Sequence, residues 1–564
     1  MSSAPTSVEA GGWNYADLWE AVADATPARL AQVSGLRRQT WHQFDRGADG
    51  VAQTLVNGGL GQQDKVALYL RNGIEYLETV FATLKAGLVP VNTNYRYVER
   101  ELEYLWTNAD VVAVVFHGSY SPLVDEVRRR MPHITTWIHV DDGTVPCPEW
   151  AVSYVSARES TRERFRAPWG RSGDDLILIY TGGTTGMPKG VMWRQHDLIL
   201  ASNAGESGFA SDLQAVRARV VGRTSSLVGV PAAPLMHGTA FVFATTLLNA
   251  GGTVATLASR SFDAEELLDL IEDQQVRSIC IVGDAFCRML IEALDRHPGR
   301  WPLESLRVVT SAGAMWSPAL KQRLHAHAPK ARFIDFLNSS EASGMGRLVT
   351  DAGGVTQAAR FRLGANAVLI DEQGVLVREP GDVGQIAVRG HLPLGYYKDH
   401  VATDATFRTV DGERYSVPGD HARLMEDGSI TLLGRGSSSI NTGGEKVYPE
   451  EVEQALKEHP EVRDAVVIGM PDPRFGEQVV AAVQAAAVID SAQLRDFARE
   501  RLAGYKVPRT IVQVDSVARG PNGKTDLSAV REQLRARMSA RAARPGDRQV
   551  AGNEQPTESK GRRG

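Results

Sequence analysis

The sequence predicts an α/β fold: a large N-terminal domain of stacked α/β subdomains with a small β-rich subdomain, then a small α/β C-terminal domain. Three observations predict it. The chain has 564 residues, more than one hydrophobic core normally organises, so at least two domains are expected. Short apolar runs alternate with amphipathic helical patterns through most of its length. Beyond about Phe361 that rhythm gives way to short strands cut by Gly and Asp.

Taken in order, Trp13 to about Phe116 opens the α/β body. Val66–Leu70 reads as a buried strand, Ile74–Ala86 as a helix and Val89–Val91 as the next strand. The same alternation returns at Leu176–Tyr180, Val254–Leu257, Ile279–Val282 and Leu306–Ser311, with helical stretches such as Ala264–Gln275 between. Ala367–Ile370, Val375–Arg378, Gly384–Arg389, His421–Met425 and Ser429–Leu433 form the β-rich part. A second domain begins just beyond Gly434-Arg435-Gly436. Pro449 opens a helix there and Pro460 closes it after His459, as proline's fixed φ and missing N–H require. Strands at Ala465–Gly469 and Val479–Gln484 and a helix at Ser491–Leu502 complete a unit ending near Arg535. The tail 539–564 lacks apolar periodicity and is expected to be disordered.

Composition narrows the function classes. The formal net charge is -5, which offers no attraction for nucleic acid. Three cysteines, Cys147, Cys280 and Cys287, show no CxxC spacing, which argues against a disulfide framework or zinc cluster and suits a reducing compartment. Met1 to Gly12 lacks the basic patch and apolar run of a signal peptide, and no apolar stretch is long enough to span a bilayer. The expectation is a cytoplasmic protein with no integral membrane association, peripheral at most to a membrane that holds a greasy substrate. The oligomeric state is left open.

One segment carries the chemistry. The strand Leu176–Tyr180 runs into Thr181-Gly182-Gly183-Thr184-Thr185-Gly186-Met187-Pro188-Lys189-Gly190. Glycines let backbone N–H groups approach phosphate oxygens, threonine hydroxyls donate to the same oxygens, and Lys189 adds positive charge. An ordinary Gly-rich turn seldom combines so many hydroxyls with Pro-Lys-Gly, so phosphate binding is the stronger reading.

This decapeptide resembles the signature loop of the acyl-adenylate-forming superfamily, which includes acyl-CoA synthetases, adenylation domains and luciferases. Further segments follow in the family order, so the resemblance covers nearly the whole chain up to the tail. Pro234-Leu-Met-His-Gly238 resembles the segment at the mouth of the acyl pocket, which implies that His237 gates the substrate; a lone His beside apolar residues is otherwise a packed one. Ser311-Ala-Gly-Ala-Met315 follows a strand with small residues, Ala312 and Gly313 among them, as needed where backbone would have to approach a flat adenine. Asp335-Phe-Leu-Asn-Ser-Ser-Glu341 is similar to the family's Tyr-Gly-x-Thr-Glu, which implies nucleotide contacts from Asn338, Ser339 and Ser340 and makes Glu341, with Thr181, a ligand of Mg²⁺. Here Leu337 stands where an aromatic usually stacks on adenine, Asn338 replaces Gly and Ser340 replaces Thr.

Tyr415-Ser-Val-Pro-Gly-Asp420 resembles the aromatic-x-x-Thr-Gly-Asp motif with Pro418 for Thr, and Asp420 would accept the ribose hydroxyls. Gly384–Gly390 with Gly395-Tyr-Tyr397 is similar to a connecting β segment and reads as structural. Gly434–Glu450 resembles the domain junction: Arg435 toward the nucleotide, Ser437 at the hinge, Gly443 and Gly444 along the pantetheine tunnel, and Asn441 where many members carry Lys. Arg519-Gly-Pro-Asn-Gly-Lys-Thr525 resembles the terminal loop, making Lys524 the lysine of adenylation. A Walker A reading of Gly523-Lys524-Thr525 fails because Ala518 stands at its first required glycine. The domain boundaries that follow are 1–434, a hinge at 435–437, a mobile lid at 438–538 and the tail.

The resemblance implies an ATP-dependent acid–thiol ligase of the acyl-CoA synthetase type, using ATP, Mg²⁺ and CoA. It would convert a hydrophobic carboxylic acid to acyl-CoA through acyl-AMP. Met192-Trp-Arg194, Gly395–Asp399 and Gly436–Asn441 are most similar to actinobacterial members, including those acting on steroid side-chain acids, so a fatty acid and a steroid-derived acid both stay open. Phe241, Val242, Met315 and Trp316 are candidate pocket residues, with plain core packing as the rival reading. Other classes are a ligase that loads a carrier protein, a luciferase-like oxygenase and a catalytically dead nucleotide-binding module.

Overall fold

The computed structural model describes residues 12–181, 187–203, 212–314, 316–350, 360–435, 440–442, 445–472, 476–502, 504–520 and 525–542. The chain divides into two compact units, Met1–Leu432 and Leu433–Gly564.

Unit one holds two sheets. The first runs, in spatial order, Gly395–Tyr396, Lys189–Arg194, Leu176–Thr181, Val89–Asn92, Lys65–Tyr69, Val111–His117, Thr136–Val140 and Val152–Ser153. It is parallel from Leu176–Thr181 onward, and the two strands at its near edge are antiparallel. The second opens with the edge strand Arg37–Thr40, antiparallel to Leu30–Ser34, and continues in parallel through Thr253–Thr256, Val228–Pro231, Ser278–Ile281, Val308–Ala312 and Arg332–Ser339. The inner strands Val228–Pro231 and Thr253–Thr256 are buried at every position, as a sheet covered on both faces demands.

At Arg332–Ser339 the second sheet changes character. A hairpin returns through Ala342–Thr350, and Arg360–Leu363, Ser429–Arg435, Asp420–Leu424, Val383–Val388, Glu413–Ser416 and Phe407–Val410 continue the same hydrogen-bonded sheet. The β-rich part therefore starts earlier than the Phe361 expected from sequence and grows out of the α/β sheet. Its own core is Ala342, Met345, Leu369, Ile386, Ala422 and Ile430. The expected strand at Val375–Arg378 reduces to one bridge between Ile370 and Leu376, because the Glu372–Gly374 turn leaves too few residues to pair.

The helix Ile74–Lys85 lies buried on every side. Phe81 meets Trp19 and Phe44 at ring distances of 5.3 and 4.9 Å. Such full burial would strand Lys85, which is 0% exposed in its side chain; its Nζ sits 3.2 Å from Glu20 and 2.5 Å from both Asp45 and Asp49. Those three carboxylates gather around an ammonium, so the cluster is a buried ion-pair network and not a metal site.

Unit two is one mixed sheet, with Thr510–Val514 parallel to Gly476–Ala485 and Val462–Asp472 antiparallel to it. Helices Pro449–Lys457, Ser491–Arg499 and Leu527–Ala542 complete it. The last helix runs on past Met538, so the regular chain extends into the segment expected to be a disordered tail. Among the described residues no helix is long and apolar enough to cross a membrane.

Candidate active site

Three segments from both sheets of unit one meet at the turn that carries Glu341. Strands Arg332–Ser339 and Ala342–Thr350 pair with Ser339 opposite Ala342, which leaves Ser340 and Glu341 as the two-residue turn. A turn at a sheet end is where a carboxylate can be presented without being buried. Tyr396 Oη donates to Glu341 Oε1 at 2.7 Å, and Ser416 Oγ donates to the Glu341 carbonyl at 2.7 Å. Trp193 Nε1 donates to the Ser340 carbonyl at 2.9 Å. The turn is thus fixed from the Leu176–Arg194 hairpin, the Gly395–Tyr396 edge and the Tyr415–Asp420 segment together.

Lys189 reaches the same place through Tyr396. Its Nζ lies 5.5 Å from the centre of the Tyr396 ring and 2.9 Å from Asp399, whose carboxyl is held below the usual range by the Ala402 N–H and by Lys189. Thr181 and Lys189 are directly paired and form the stem of the glycine-rich loop. Gly182, Gly183, Thr184, Thr185 and Gly186 lie outside the described residues. Gly190 is obligatory: a Cβ there would fall 2.6 Å from the Tyr180 ring, whose hydroxyl donates to Asn108.

Ala312 ends its strand opposite Phe336 and Gly313 follows at φ 85°, so the small-residue segment lies alongside the strand that leads to Glu341. Asn338 Oδ1 accepts from the Gly344 N–H at 2.7 Å, straddling the hairpin. Ser339 is half-buried beside it. Leu337 packs into the β-rich core, whereas Phe336 on the opposite face is 36% exposed. Asp420 is buried and opens its strand just after Gly419 at φ 95°. His237 is the N-cap residue of the helix Gly238–Asn249, and Gly238 is close enough to Ser340 that a Cβ would lie 3.7 Å from its Oγ.

Structure therefore brings Lys189, Ser340, Glu341 and the His237–Gly238 junction around one turn, with Thr181 as the strand partner of Lys189. Arg435 ends the strand Ser429–Arg435; Gly443, Gly444 and Lys524 lie outside the described residues, as do Met315 and Ser437. Trp316 is a core residue, 2% exposed and against Phe333 at 5.0 Å. Phe241, Leu235, Met236 and Ile179 line a cavity of about 20 Å³, room for a single water. Sequence reasoning set Gly395-Tyr-Tyr397 aside as structural, yet Tyr396 is the side chain that joins Lys189 to Glu341. No local pattern could reveal that contact.

For Mg²⁺ the donor set fits. Glu341 and Thr181 offer hard oxygen ligands, and among the described residues no donor reaches Glu341 Oε2.

An AMP-binding enzyme family model matches residues 19–397, and the C-terminal domain model of the same enzymes matches 451–524. A ligase from Mycolicibacterium smegmatis, named for medium/long-chain fatty acids and 3-oxocholest-4-en-26-oate with CoA, is 41% identical over 91% of this chain and 95% of its own. A 3-oxocholest-4-en-26-oate–CoA ligase from Rhodococcus rhodochrous is 38% identical over 95% of this chain and 98% of its own. Among solved structures, ATP-bound MatB from Rhodopseudomonas palustris superposes with a TM-score of 0.77 at 26% identity, covering 93% of this chain and 99% of its own.

Proposed function

The chain belongs to the AMP-binding enzyme family, on its acyl-CoA synthetase branch, and from that premise we propose that it activates a fatty acid or a steroid side-chain acid as its CoA thioester. The observation that carries the substrate class is the identity of about 40% along almost the full length of ligases named for those acids. The carrier-protein alternative has no comparable support.

The chemistry follows from charge. A carboxylate oxygen attacks the α-phosphorus of ATP, the bond to the pyrophosphate oxygen breaks, and pyrophosphate leaves with the electron pair. Two anions must approach first; at ~4 Å their repulsion is about 4 kcal/mol at an effective dielectric of roughly 20. Lys189 at the loop stem, the loop N–H groups and Lys524 from the second unit offset it. Mg²⁺, held by Glu341 and Thr181, would neutralise phosphate charge when bound. Ala312, Gly313, Asn338, Ser339, Ser340, Asp420 and Arg435 hold the nucleotide, and His237 guards the acyl entrance. The second unit, turning about 435–437, then withdraws Lys524 and lets CoA enter past Gly443 and Gly444. The thiol gives up its proton, sulfur attacks the acyl carbon, and AMP departs. A cytoplasmic location, peripheral to membranes, suits so greasy an acid.

Release of pyrophosphate that depends on acid, ATP and CoA, across straight-chain, branched and steroid acids, tests the reading; absence of turnover with the whole panel would sink it. Lys524→Ala should abolish acyl-AMP formation and leave thioester formation from supplied acyl-AMP within a few-fold of the parent. Equal loss in both half-reactions would remove Lys524 from the adenylation step.

A further inference from the structure

Two asparagines with no role in the mechanism above stand at the carboxyl ends of adjacent parallel strands. Asn92 ends Val89–Asn92. Its Oδ1 accepts from the Tyr180 N–H at 2.6 Å, while its Nδ2 donates to the Tyr180 carbonyl at 2.9 Å and the Met236 carbonyl at 2.7 Å. Asn72, just beyond Lys65–Tyr69, accepts from the Leu235 N–H at 2.7 Å and donates to the Ala233 carbonyl at 3.0 Å. A reversed Asn92 amide would set N–H against N–H and oxygen against two carbonyls, so the orientation is determined by its partners.

Chain position gives these bonds their meaning. Tyr180 immediately precedes Thr181 and the glycine-rich loop; Met236 immediately precedes His237. The two segments leave different sheets, one from Leu176–Thr181 and the other from Val228–Pro231. One amide therefore spans both, whereas among the described residues the Asn72 amide hydrogen-bonds only to the segment before His237. We propose that Asn92 is a positioning residue that couples the nucleotide loop to the acyl-side segment, and that Asn72 positions the acyl-side segment alone. The inference rests on the proposed function only for what each segment binds.

Aspartate at either site keeps the shape and one acceptor oxygen but turns a carboxylate oxygen toward backbone carbonyls. Loss of such buried hydrogen bonds is on the order of a tenfold effect. Asn92→Asp should weaken MgATP binding, measured by calorimetry without acid, about tenfold, and raise KM for the acid about as much. Asn72→Asp should leave the MgATP Kd within about twofold and raise only the acid KM. If both variants shift both constants alike, or Asn92→Asp loses melting temperature while neither constant moves, the coupling is refuted. Should Asn92→Asp fail to fold, Asn92→Ser is put through the same pair of measurements. Parent protein that binds MgATP yet turns over no acid would defeat the substrate reading; the MgATP arm would still decide for or against the clamp.

Discussion

Fifty-five residues separate Tyr396 from Glu341, and that hydrogen bond shows what a single side chain does here. Tyr396 orients the carboxylate through its hydroxyl, and its ring lies 5.5 Å from the Lys189 Nζ. Partners that orient a metal ligand typically account for 10–100-fold in metal affinity. Tyr396→Phe keeps the ring and loses the hydroxyl, so the Mg²⁺ concentration for half-maximal pyrophosphate release should rise roughly tenfold. An unaltered Mg²⁺ requirement would count against the proposal that Glu341, oriented by Tyr396, holds the metal. At this scale Lys189, Glu341 and Asp420 could be picked out as candidates from the sequence because their chemistry is type-specific. Tyr396 was not, since an aromatic in a connecting strand usually just packs.

Among elements, the two-residue strand Gly395–Tyr396 is the smallest with a large consequence. It pairs in register with Met192 and Val191 at the edge of the first sheet, and the Tyr396 N–H donates to Thr403 Oγ1 at 2.9 Å. Gly395 holds φ 149°, and a Cβ there would fall 2.5 Å from Thr403. Gly395→Ala should therefore destabilise unit one by about 1–3 kcal/mol and lower kcat, since Thr403 must move and release Tyr396. A melting temperature and kcat both equal to the parent's would show that the edge can relax freely. The Arg332–Thr350 hairpin works by the same logic: its register alone decides that Glu341 falls on the turn. Sequence alternation predicted neither of these two strands nor their pairing.

Across the whole molecule, the buried network around Lys85 ties the first helix, Tyr15–Ala25, to the helices Trp41–Asn57 and Ile74–Lys85. Burial pushes the Glu20 carboxyl up, but hydrogen bonds from Arg171 and Arg166 and the charges of Lys85 and Arg171 outweigh it and bring it down to about 2 from 4.5. A depressed carboxyl contributes stability above its unfolded value and loses it as pH falls from 4.5 through 2. Glu20→Gln should lower stability at pH 7 by on the order of 2–3 kcal/mol, and the gap in melting temperature between parent and variant should shrink as pH falls across that window. A constant gap would mean that Glu20 is paired equally well in the unfolded chain. By itself the sequence determined the α/β class and the existence of a second domain, and it singled out the glycine-rich segment with Lys189 as the candidate phosphate loop, because periodicity and residue chemistry are local properties. Only the tertiary structure decided that the β-rich strands extend the main sheet, that Tyr396 bridges Lys189 to Glu341, and that Asn92 spans Tyr180 and Met236. Those are pairings between distant segments, set by register and by where backbone groups are left to be satisfied, and no window along the chain contains both partners.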